Sequence, residues 1–329
     1  MRQFYAILTN TFGEAIRQPA YGLVLIIVAL LVLAAPLSGA HIYTLAAGDH
    51  LSAQRAVAGM GLSTVLIAGL GLAVLIAAGV INREIEEKTA LTVLTKAVGR
   101  LVFIAGKFAG VAAAITLAVA AWSMLILLTA RFGANVAAYE NFDYASFGGT
   151  MLAIGGGLAA ATWRNYFSGK SWVGSFSLTF FGILSGVFLA LLFVTPDYQW
   201  AFGGGKFGAY DWQVALAALL MWEAILLLAG LAVAFSTRLK MTANFALCLG
   251  LFAGGLTVDY FYATYGGEWL AAGRMLAPAV QALWLSEALK YEVAIPLTYV
   301  ADCTAYAALY LAATLFLAAY LFEKREIAG

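Results

Sequence analysis

The chain has 329 residues, of which 64% are hydrophobic and only 11% charged, and its net charge is +1. Soluble domains carry about 25% charged residues, and a water-soluble core of this size could not bury so much apolar surface. The balance points to a bilayer as solvent and, with no basic excess, excludes nucleic acid as a partner.

Residues 1–19 come first. Phe4, Ile7, Leu8, Phe12, Ala15 and Ile16 recur at three and four, which predicts an amphipathic helix lying in the inner interface. Pro19 breaks it before the first span. A signal peptide cut near Ser38-Gly-Ala40 is the rival reading, with an unusually long leading region. A spanning helix needs about 20 apolar residues. Runs of that kind predict eight spans, near 21–40, 59–81, 103–129, 147–163, 172–194, 213–236, 241–261 and 299–322. The fold class is therefore an all-α polytopic membrane protein, a single transmembrane domain over 1–329.

Lys and Arg favour cytoplasmic loops. With the N-terminus inside, they divide 13 to 5 in favour of the inner segments. Eight spans then place both termini in the cytoplasm of a cell with the chain in its inner membrane. The outer segment 263–298 carries Trp269, Leu276, Val280, Leu283, Trp284 and Leu289 among scattered charges. It reads as one or two outer interfacial helices, or as a shallow re-entrant element. The glycine run 155–157 suits close helix packing and the run 203–205 a loose outer loop.

Several features point to chemistry that the chain does not support. Cys248 and Cys303 lie in apolar runs and read as small hydrophobes. His41 and His50 alone make a poor metal site. Gly169-Lys-Ser resembles the end of a phosphate-binding loop, but Arg164 stands where that loop needs glycine, and spans flank it. No cofactor is expected, and no enzyme of any class: clustered His, Asp, Ser or Glu at membrane depth is not visible. Glu223, beside Trp222, is the one ionisable residue midway through a span. It must face protein or water, as a substrate or proton contact or as a hydrogen-bonded structural group.

Residues 82–100 read NREIEEKTALTVLTKAVGR, and seven of these nineteen are charged. Glu84 and Lys88 stand i, i+4 in the favourable order, and Glu87 lies beside them. A short cytoplasmic helix is predicted, with Ala90–Leu94 exposing apolar side chains and Gly99 ending it. Positive-inside placement accounts for the basic residues. A docking surface for a cytosolic protein also accounts for the acids and the leucines.

This stretch resembles the loop after the second span of type-2 ABC exporter permeases, a group that includes those named for multicopper-enzyme maturation. The matching residues are Glu84, Glu86, Glu87, Thr89, Leu91, Leu94, Thr95, Lys96, Arg100, Gly106 and Lys107. The sequence departs from the pattern at Lys88, Ala97 and Gly99, where Gly, Pro and Ser are usual. Residues 232–250 and 321–326 resemble the family's late cytoplasmic turn and charged end. The family core has six spans, so the 213–261 hairpin reads as an addition. The resemblance implies a half-transporter pairing with a second permease copy, identical or paralogous, and with separate cytosolic ABC ATPase subunits. Residues 82–100 would be the coupling helix. The docking residues would be Glu84, Glu86, Glu87, Thr89, Leu91, Leu94 and Arg100. The alternative is a secondary transporter or channel without an ATPase, a class that often shows inverted repeats and several intramembrane charges.

Overall fold

A computed structural model describes residues 2–45, 50–86, 99–138, 142–195, 199–200, 210–291 and 293–323. The described residues form twelve helices: α1 (Arg2–Ala15), α2 (Pro19–Leu45), α3 (His50–Glu86), α4 (Arg100–Ala138), α5 (Tyr144–Ser168), α6 (Trp172–Leu191), α7 (Trp212–Ser236), α8 (Met241–Tyr265), α9 (Glu268–Leu276), α10 (Val280–Leu283), α11 (Ser286–Lys290) and α12 (Leu297–Glu323). Among them the only β pairing is one isolated bridge between Val194 and Trp200. Eight helices are long and apolar enough to cross a membrane, and they coincide with the eight predicted spans. The protein is an all-α, multi-pass membrane protein.

Local chemistry sets the helix ends. Pro19 opens α2, where its missing N–H costs nothing. Asp143 accepts from Ser146 N at 3.0 Å and caps α5, Ser171 accepts from Gly174 N at 3.3 Å and caps α6, and Asp211 accepts from Gln213 N at 3.0 Å and caps α7. Gly169 closes α5 with φ 60°, the left-handed conformation that glycine adopts without strain.

The three most buried spans, α3, α4 and α7, form the centre. α2 packs on α3 and α4, while α5 and α6 form a hairpin against the α4 side, and α12 covers α7 and α4. Glycines permit the close approaches. A Cβ on Gly69 would meet Ile225 Cδ1 at 2.4 Å, and one on Gly149 would meet Val187 Cγ1 at 2.4 Å. In the run 155–157, Gly156 and Gly157 face Ile183, Phe176 and Phe180 of α6, as close packing predicts. The run 203–205 lies outside the described residues.

α1 forms as predicted, and its apolar face is applied to α4. Gly106 and Gly110, one turn apart on α4, receive it. Added Cβ atoms there would fall 2.9 Å from Ile7 Cγ2 and 2.5 Å from Thr11 Cβ. Thr11, Ala15 and Ile16 are buried by this contact. The helix thus spends part of its apolar stripe on protein, with Phe4, Ile7, Leu8 and Phe12 left half-buried, which the sequence periodicity could not distinguish from lipid.

Segment 263–298 turns inward rather than lying flat. Gly266 and Gly267 have φ of 63° and 110°, values that favour glycine, and they reverse the chain after α8. α9 then runs back along α8, and a Cβ on Gly255 would strike Pro278 O at 2.2 Å. Gly255 precedes the end of α8 by ten residues, which is about 15 Å of helix. Non-helical backbone at such depth needs hydrogen-bond partners from protein. Tyrosines of α12 provide them. Tyr306 Oη accepts from Ala279 N at 2.9 Å, Tyr310 Oη donates to Leu276 O at 2.8 Å, and Tyr299 Oη donates to Ala282 O at 2.7 Å. The chain returns outward through α10 and α11, and Ile295 N donates to Gln213 Oε1 at 2.7 Å.

Candidate functional site

The eight spans alternate in direction, so the bundle has a terminal face, carrying α1 and the end of α12, and a distal face. The described ends of the sequence-predicted docking stretch, 82–86 and 99–100, lie on the terminal face. α3 runs unbroken to Glu86, so Arg83–Glu86 continue the second span's helix and are not a separate element. Glu84 and Glu86 fall in that last turn. Glu87, Thr89, Leu91 and Leu94 lie outside the described residues.

Arg100 starts α4, and its Nη1 lies 3.0 Å from Glu323 Oε1 at the end of α12. Both side chains are half-exposed or more, so the pair adds at most about 1 kcal/mol. Beneath it Phe103 and Phe322 stack at 5.5 Å. Lys107 is buried one turn further along α4, with Nζ 5.9 Å from the Phe103 ring. Its neighbour Gly106 is where α1 seats. The Gly-Lys pair of the resemblance therefore combines a close helix contact with a buried cation.

The turn between α7 and α8 completes this face. Asn244 Nδ2 donates to Ala232 O at 2.9 Å and to Ser236 Oγ at 2.7 Å, and Cys248 Sγ donates to Asn244 Oδ1 at 3.3 Å. Arg238 Nε donates to Leu321 O at 2.8 Å. The three stretches that carry the family resemblance are thus joined through the end of α12: Arg100 reaches Glu323, and Arg238 reaches Leu321.

Glu223 lies mid-way along α7 and is buried. Thr304 Oγ1 of α12 donates to its Oε1 at 2.6 Å. Its Oε2 is buried with no hydrogen-bond partner among the described residues. Thr304 is itself exposed, so the carboxyl stands one side chain from the surface of this chain. Next to it on α7, Trp222 Nε1 donates to Thr116 Oγ1 of α4 at 2.9 Å, tying α7 to the centre. The structure therefore does not bring Glu223 together with the docking stretch. It sits with α12 at mid-depth, at a level comparable to the re-entrant turn.

The distal face holds two ion pairs. Arg131 Nε and Asp143 Oδ2 are 2.5 Å apart with side chains 1% and 0% exposed, and Arg55 Nε and Asp211 Oδ2 are 2.6 Å apart. Arg131 also donates to Leu191 O at 3.1 Å and lies 5.5 Å from the Tyr210 ring. Both arginines join loops to spans, and Arg131 Nη2 is left buried without a hydrogen-bond partner among the described residues. Sequence reasoning missed these pairs, Asn244, Thr304 and the tyrosine series. Only the tyrosines left a signal, at 299, 306 and 310 on one face of α12. No protein-family model matches the chain, and no curated protein matches it.

Proposed function

We propose that the chain is the transmembrane permease subunit of an ATP-driven ABC exporter, in which residues 82–100 dock on a cytosolic ATPase and pass its motion to the spans. One observation carries the reading. The stretch joins α3 and α4, of 37 and 39 residues, about 55 and 58 Å of continuous helix. These two helices are also at the centre of the bundle. A force applied at their connection reaches every neighbour of α3 and α4 through packed contacts, as a bistable bundle requires. In this reading the terminal face is cytoplasmic, Glu84, Glu86 and Glu87 meet basic groups at the rim of the ATPase cleft, and Leu91 and Leu94 fill its apolar floor. Thr89 and Arg100 flank that contact, and a second permease copy completes the translocation path. The chain itself hydrolyses nothing. Affinity purification from native membranes tests this: a protein bearing both nucleotide-binding motifs should copurify, and its ATPase rate should rise when the chain is present.

A second reading, a secondary transporter or channel, is favoured by the orphaned Oε2 of Glu223 beside an exposed Thr304 at mid-membrane. Purification without any ATPase, together with ion- or pH-driven uptake into vesicles, would support it over the first.

A further inference from the structure

On the terminal face, a cavity of about 430 Å³ lies between the α1–α2 junction and the α5–α6 turn. Arg17, Arg164 and Lys170 line it together, with Ser171, Ser175 and Leu178. No carboxylate is among its lining residues, and none of the three cationic groups has a hydrogen-bond or ion-pair partner among the described residues. Glu14 lines a separate cavity on the other side of Arg17.

The convergence is built rather than incidental. Arg17 comes from the end of α1 and lies across the first turn of α6, where a Cβ on Gly174 would be 3.4 Å from its Cγ. Lys170 sits in a three-residue turn fixed at both ends. Gly169 N donates to Asn165 O, Lys170 N donates to Arg164 O, and Asn165 Nδ2 donates to Lys170 O at 2.8 Å. Three like charges gather at one cavity with no carboxylate among its lining residues, which favours an anion there. Positive-inside placement accounts for basic residues at this end of the spans, but not for their meeting around one cavity from two separate parts of the chain.

The level of the cavity identifies the anion. It lies where α5 ends and α6 begins, at the limit of two spans. Trp163, Tyr166 and Phe167 project from the last turns of α5, 65%, 81% and 62% exposed, as aromatic side chains do at head-group depth. Leu178, 45% exposed, continues the cavity wall toward the hydrocarbon.

We propose that this cavity holds the phosphodiester of an anionic phospholipid from the adjoining leaflet, with its acyl chain along α6 beside Leu178. The Gly-Lys-Ser turn does not bind a nucleotide in this account, but its lysine does meet a phosphate.

The test is native mass spectrometry of the full chain released from nanodiscs of equal phosphatidylglycerol and phosphatidylcholine content. Each Lys or Arg near a membrane surface favours anionic lipid by about 1 kcal/mol, so the wild type should retain phosphatidylglycerol with a preference on the order of 100-fold. R17Q/R164Q/K170Q should lose that preference, and R17K/R164K should keep it. Should the triple variant fail to fold, R164Q/K170Q replaces it and should lose most of the preference. Equal retention of the two lipids by the wild type, or an unchanged preference in a folded charge-deleted variant, overturns the proposal. Displacement of phosphatidylglycerol by excess inorganic phosphate also overturns it, because the site would then serve a soluble anion.

Discussion

Replacing Tyr306 with Phe removes one oxygen and leaves the Ala279 amide without the acceptor now 2.9 Å away. The turn that carries this amide lies about 15 Å inside the end of α8, where water does not replace the lost partner. Leaving a part-buried donor unsatisfied costs up to about 1–3 kcal/mol. Hydrogen exchange at Ala279 should therefore accelerate by roughly 5- to 150-fold. Tyr310→Phe should do less, because a carbonyl tolerates a missing donor better than an amide tolerates a missing acceptor. The assay is residue-resolved hydrogen exchange in detergent micelles, comparing both variants with the wild type. Unchanged exchange at Ala279 in Tyr306→Phe, or an equal response to both variants, would refute a protein-satisfied turn at membrane depth.

Three further outcomes follow from the same geometry. Gly110→Leu drives a side chain into Thr11 Cβ and Leu8 O, at 2.5 and 2.8 Å from a bare Cβ. It should displace α1 and lower the melting temperature, whereas Gly182→Ala, with nothing within 4 Å, should be close to neutral. Asp143→Asn should cost about 3–5 kcal/mol by leaving Arg131 charged and buried, while Glu323→Gln at the exposed Arg100 pair should cost under about 1 kcal/mol; chemical denaturation compares the two. Glu223→Gln keeps an acceptor for Thr304 and should leave assembly and melting temperature intact. If the carboxyl exchanges a proton or contacts cargo, the pH dependence of transport disappears in this variant; an unchanged pH profile removes Glu223 from the mechanism.

The spans were legible because each needs only length and apolarity. Even the least apolar, α5, forms a full helix of 25 residues, its glycines matched to α6. The amphipathic stripe of α1 was legible too, but periodicity records that a face is apolar and not what covers it. The re-entrant course of 268–283 was not legible beyond an open possibility. Its depth depends on tyrosines 17 to 34 residues away, and its own apolar runs are too short to declare a position. Arg55 and Asp211, 156 residues apart, show the same limit. Glu223 was identifiable by its charge alone, whereas Thr304, which fixes it, is an ordinary threonine in sequence. Residues 82–100 stood out by charge density and resemblance, and the structure adds that the helices flanking them are the two longest among the described residues.

In the proposed function, residues 82–100 couple the spans to a cytosolic ATPase. Leu91→Asp with Leu94→Asp tests it most directly, measured by copurification and by stimulation of the partner's ATPase activity in the same preparation. Apolar anchors of an interface commonly carry about 2 kcal/mol or more each. The double variant should thus bind on the order of 1,000-fold more weakly and fail to stimulate hydrolysis, while its own melting temperature stays that of the wild type. A double variant that copurifies with the ATPase and stimulates it normally would contradict the account.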